Sequence, residues 1–153
     1  MNMVLNDVLT KQNVITKIII KNGDKELSKA LKVKIMRIRM AYNKIKQQFD
    51  SDVQEFTKEL VPNELQILVN KEQKTKEEEL RFDELSSKIN SEYNEFMIQK
   101  GKEDVILSVD DSLSIDEYAD ILDVNSDNDV EFNGNTIPAV DFMEVVYDLF
   151  VKE

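Results

Sequence analysis

The run Asp123-Val124-Asn125-Ser126-Asp127-Asn128-Asp129-Val130 sets side-chain oxygens at alternate positions. A calcium ion coordinated by a short loop needs that spacing. Asp123, Asn125 and Asp127 match positions 1, 3 and 5 of an EF-hand loop, and Val130 matches its apolar position 8. Asn128, however, stands where the loop needs glycine, and Gly134 where it needs a bidentate glutamate. With that glutamate missing, the preferred reading is an acidic surface loop, and no metal is expected. Other chemistry is limited by what the chain lacks, since it contains neither His nor Cys. Ser-His-Asp and Cys-His nucleophiles, imidazole and thiolate metal sites and disulfides are all excluded. Only carboxylates with a hard cation, or a Lys or Tyr mechanism, remain for catalysis. The chain is therefore expected not to be an enzyme, to need no cofactor, and to act by binding another macromolecule.

Charge is divided unevenly along the sequence. Between Lys11 and Phe49 eleven Lys and Arg face only Asp24 and Glu26, whereas fifteen acids from Lys102 onward face only Lys102 and Lys152; the whole chain carries −11. Lys25, Lys29, Lys32, Arg39 and Lys46 form one basic flank of a long amphipathic segment, and Lys34, Arg37 and Lys44 the other. Such flanks attract phosphate, but no arginine-rich or aromatic-interleaved motif accompanies them and the net charge opposes it. Nucleic acid is not expected as the main partner. The bland account of the asymmetry is ion pairing between the basic segment and a following acidic helix. The acidic ending reads first as a solubilising surface and second as an imitation of a nucleic-acid backbone.

Periodicity supplies the elements that must position these residues. Residues 6–22 read as a short helix closed by Gly23, although Ile18–Ile20 would also suit a strand. Leu31, Ile35, Ile38, Tyr42, Ile45, Phe49, Val53, Phe56 and Leu60 recur at three- and four-residue spacing and predict one long helix ending before Pro62. Val33, Met36 and Met40 lie opposite that stripe, as a second apolar face suited to an interface. A second helical stretch runs from about 64 to 100, with a break near 70–74 and a stripe of Phe82, Leu85, Ile89, Tyr93 and Phe96. Gly101 is the expected stop. The two stretches predict an antiparallel helical hairpin. Asp104 to Val109 reads as a strand, and Ser114 with Glu117 as a capping box opening a short helix. Asn133-Gly134 predicts a tight hairpin turn over 130–137, and Pro138 the start of a buried terminal helix. The expected architecture is mainly α: a helical region over 1–101 and a small α+β lobe over 102–153.

Two long helices, the hairpin Val130–Ile137 and Pro138-Ala139-Val140-Asp141-Phe142 opening a terminal helix resemble small uncharacterised proteins of tailed bacteriophages. The Lys/Asn/Ile-rich, Gly-poor and Cys-free style is similar to proteins of AT-rich phages. The resemblance carries no functional residues. It implies a virion structural or assembly component that packs against itself and other phage proteins. An acidic phage-encoded inhibitor of a host nuclease, polymerase or defence complex is the alternative. No signal peptide or apolar run long enough for a membrane span is seen, so the expected location is the virion or the host cytoplasm, away from the membrane.

Overall fold

The protein is described from a computed structural model, over residues 1–152. It is mainly α, with small two-stranded antiparallel sheets, and divides into two compact units. The first combines residues 1–46 with 104–153, and the second is residues 47–103. The expected boundary after Gly101 falls near a real one. The expected one-piece N-terminal helical region does not hold, because the first 46 residues fold with the last fifty.

In the first unit, strand β1 (Asn2–Val4) leads into helix α1 (Leu5–Ile15). Strands β2 (Lys21–Asn22) and β3 (Lys25–Glu26) follow, and helix α2 (Lys29–Leu60) contributes its residues 29–46 here. Strand β4 (Asp104–Ile106) pairs with β1 in the register Met3 to Val105. Helix α5 (Ile115–Asn125), strands β5 (Val130–Phe132) and β6 (Asn135–Ile137) and helix α6 (Ala139–Phe150) complete the unit. Two segments share one plan, a helix followed by a tight hairpin and then a second helix. Their helices begin at residues 5 and 29 in one segment and at 115 and 139 in the other, a constant separation of 110, and each has a two-residue turn between its strands. The end of each first helix meets the other segment's hairpin region: Asn13 Nδ2 donates to Asn133 Oδ1 at 3.2 Å, and Asn22 Nδ2 donates to the Val124 carbonyl at 3.4 Å. Val8, Val14, Ile15, Ile35, Ile38, Tyr42, Ile121, Phe142, Val146 and Phe150 form the core between them.

Local sequence explains most boundaries. The capping box at Ser114 forms, with the Glu117 amide donating to Ser114 Oγ at 3.1 Å and the Ser114 amide donating to Glu117 Oε1 at 2.9 Å. Asn133 (φ 52°) and Gly134 (φ 80°) make the expected turn. The first helix is shorter than expected: it ends at Ile15, and Gly23 (φ 61°) serves the β2–β3 turn instead of closing a helix. The β-branched run Ile18–Ile20 leaves the helix because its backbone finds other partners. Asn125 Oδ1 accepts from the Ile19 amide at 2.7 Å and Asn125 Nδ2 donates to the Ile19 carbonyl at 2.9 Å, while the Leu27 amide donates to the Ile20 carbonyl at 3.0 Å.

The second unit joins residues 47–60 of α2 to helices α3 (Asn63–Asn70) and α4 (Lys76–Gly101). The expected break between the last two is present, and Thr75 caps α4 through a second capping box. The α2 end and α4 run antiparallel, with the Phe56 and Phe96 rings stacked at 4.0 Å and Lys100 Nζ 2.9 Å from Asp52 Oδ2. Leu65, Leu68 and Leu85 form a small core against Val61, Phe82 and Ile89. Gly101 closes α4 without a left-handed backbone, since Lys102 caps it in the right-handed region.

At φ 80° in the β5–β6 turn, Gly134 has open space where a Cβ would project, so Gly134→Ala should cost backbone strain alone, about 1 kcal/mol. Urea unfolding should show that loss with the hairpin retained.

Candidate functional site

The residues 29–46 of α2 bury one face and expose another. Leu31, Ile35, Ile38 and Tyr42 are buried, whereas Lys29, Ala30, Val33, Met36, Arg37, Met40 and Lys44 are exposed. At 100° per residue those exposed positions share one side of the helix. Val33, Met36 and Met40 are 41%, 50% and 67% exposed, so the second apolar face is turned to solvent rather than packed on α1 or α6. No acid lies among them. Lys29, Arg37 and Lys44 make no ion pair among the described residues. Beside this face Ala30, Val33, Lys34, Arg37, Val109 and the carboxylate of Asp110 help line an open concavity of about 280 Å³.

The expected basic flank is dispersed. Lys25 lies 3.3 Å from Asp127 and 3.9 Å from Asp123, Lys32 pairs with Glu26, and the Arg39 guanidinium is turned inward. Arg39 Nε donates to the Ile15 carbonyl at 2.9 Å, and a second guanidinium nitrogen donates to the Ile18 carbonyl. It therefore satisfies carbonyls left open where α1 ends, and burial lowers its pKa. Lys46 lies on the same helix and is half-buried. Of the five, only Lys29 stays on the exposed face with no ion pair, so no phosphate-binding row survives. The expected charge pairing does occur, but with another element. The basic segment meets the C-terminal residues, with Lys34 2.7 Å from Glu117 and Lys11 2.8 Å from Asp111.

The segment holding Asp123, Asn125 and Asp127, read first as an acidic surface loop and only second as a calcium loop, is in part helical. Asp123 and Asn125 lie within α5, and the Asn125 amide is committed to Ile19 and, at 2.8 Å, to the Ile121 carbonyl. Among the described residues no group of three acidic side chains is placed to hold a metal ion.

Asp111, which is 1% exposed, carries no signal in the sequence. Tyr42 Oη donates to Asp111 Oδ2 at 2.6 Å, and Lys11 Nζ approaches the same oxygen at 2.8 Å while lying 5.3 Å from the Phe150 ring centre. Burial first, and then the bond to Asp111, pushes the Tyr42 hydroxyl far above its ordinary pKa. This keeps Tyr42 a neutral donor. The triad is enclosed by Phe150, which meets Tyr42 edge-on at 6.4 Å. Its chemistry is structural: it holds α1, α2 and the loop before α5 together. An isolated Asp flanked by single Ser and Asp residues reads as loop in a sequence, so only the fold reveals it.

Comparison with protein-family profiles, with curated proteins and with solved structures finds no match for this chain. Among the described residues, no helix is long and apolar enough to cross a membrane.

Two outcomes follow from these contacts. Lys11→Met leaves the Asp111 charge buried beside Tyr42 alone and should cost about 3–5 kcal/mol, and Tyr42→Phe about 1–3 kcal/mol; urea midpoints would measure both. Glu117 is raised by burial but lowered more by Lys34 and Ser114 together, for a net lowering below 4.5. Its contribution is therefore full above pH 4.5 and lost as pH falls through the lowered value. Glu117→Gln keeps the capping geometry, so its stability should lose less than the parent's on acidification below that point, as followed by circular dichroism.

Proposed function

We propose that this chain is a non-catalytic assembly protein that docks through the exposed face of α2, with Val33, Met36 and Met40 as its apolar centre. The observation that carries this reading is the solvent exposure of those three side chains, on a helix whose opposite face is already buried in the core. Three large apolar residues at successive turns make a row suited to another protein surface, and methionine adapts to the partner it meets. The absence of His and Cys from the sequence agrees with a binding role. The resemblance of the C-terminal hairpin and helix to small tailed-phage proteins supports a virion or its assembly as the setting of that role.

An acidic inhibitor is the second reading, favoured by the exposed carboxylates of α5 and α6. It predicts a monomer that binds a basic groove, with the α2 face idle.

Light scattering after size exclusion separates them. The parent should run as a multi-subunit species, and Met36→Asp with Met40→Asp should reduce it to a monomer with unchanged helicity. A parent that is monomeric at every concentration, or a variant with the parent's mass, would overturn the assembly reading.

A further inference from the structure

The exposed face of α2 has a chemical counterpart on α6. Val140, Asp141, Glu144 and Asp148 are exposed on that helix, and half-buried Tyr147 lies among them. Tyr118 of α5 meets Tyr147 edge-on at 5.2 Å and donates to the Met143 carbonyl at 2.9 Å. Burial first, then the nearby charges of Glu144 and Asp148, pushes the Tyr118 hydroxyl up. Both carboxylates therefore stand beside the ring pair. No base belongs to this face, and Asp141, Glu144 and Asp148 make no ion pair among the described residues.

One face is thus apolar and basic, with Lys29, Arg37 and Lys44 making no ion pair among the described residues, although Asp110 lies at its edge beside Arg37. The other is apolar and acidic, with three carboxylates unanswered by any base. A two-fold contact of the α2 face with itself would set cations against cations, and like charges across an interface cost several kcal/mol. Contact between unlike faces removes that repulsion, desolvates Val33, Met36 and Met40 against Val140 and the tyrosine pair, and pairs the charges around them.

We propose that copies of this chain associate head to tail, the basic α2 face of one docking on the acidic α5–α6 face of the next. The inference rests on the assembly reading above and adds the identity of the partner surface. Because each copy keeps one free face, such a contact propagates into a ring where the rotation closes and into a filament where it does not. Salt should weaken it, since the flanking charges are exposed.

Two variants, each blocked on one face, test the geometry in the full chain. One carries Met36→Asp with Met40→Asp, and the other Glu144→Lys with Asp148→Lys. Each alone should be monomeric by light scattering, and an equimolar mixture should give a complex of two chains and nothing larger, through the one intact pair of faces. Failure of the mixture to combine would overturn head-to-tail association. So would a Glu144/Asp148 variant that keeps the parent's mass; there the assembly reading would survive, because the Met36/Met40 variant would still be monomeric. A monomeric parent, or parent mass in both variants, would overturn both readings, as would a monomeric parent that binds duplex DNA through α2. Arg37→Glu with Lys44→Glu blocks the same face by charge alone and replaces the methionine variant if that variant loses its helicity.

Discussion

A carboxylate taken out of water must have its charge answered inside the protein, and Asp111 draws both answers from far along the chain. Lys11 comes from α1 and Tyr42 from α2, 100 and 69 positions away along the chain. An ion pair so enclosed contributes little net stability compared with an apolar replacement, yet removing one partner is costly. Its effect is therefore to fix arrangement. Any packing that separates α1, α2 and residue 111 leaves a buried charge alone. The β1–β4 pairing and the Leu113–Val151 bridge flank residue 111 in sequence, so its segment is held to residues near each end of the sequence by backbone pairing as well as to α1 and α2 by the triad.

The same principle organises the surface. Lys34 with Glu117 and Lys25 with Asp127 bring the basic first third against the acidic ending. The asymmetry that is conspicuous in the sequence is partly consumed in this way. What remains is sorted by face: unanswered cations on the outer side of α2, and unanswered carboxylates on the outer side of α6. Exposed pairs of this kind add about 0–1 kcal/mol each to folding, so stability alone does not require that sorting. Orientation of a partner does benefit from it, because complementary charge selects one register and disfavours others.

Legibility in the sequence followed the range of the interactions. The α2 stripe from Leu31 to Leu60, the Ser114 capping box and the Asn133-Gly134 turn depend on neighbours within a few residues, and all three are where periodicity and turn chemistry put them. The exposure of Val33, Met36 and Met40 could be narrowed to two alternatives but not decided, because burial of a second face depends on what the fold lays across it. The end of α1 was misread for a similar reason. Ile18–Ile20 leave the helix because Asn125 and Leu27 bond their backbone, and neither partner is local. Asn125 also shows how a ligand-like spacing misleads: its oxygen is spent on the Ile19 amide before any ion could use it. The assignment of residues 1–101 to one region failed because a continuous sequence does not announce that its first 46 residues will pack with its last fifty.

The repeated helix–hairpin–helix plan links these observations. In both segments the second helix turns one side to the core and the other to solvent, so a single design generates two outward faces on one unit. The two segments carry opposite charge on those faces and apolar residues at their centres. Had the faces stayed alike, an isologous contact would have been the simplest association open to them, and it would have closed at two copies. Opposite charge disfavours each face meeting its own kind and leaves the contact between unlike faces as the one without repulsion. A unit built on two segments of one plan thereby presents two unlike faces, and a contact between unlike faces has a direction that a contact between like faces lacks.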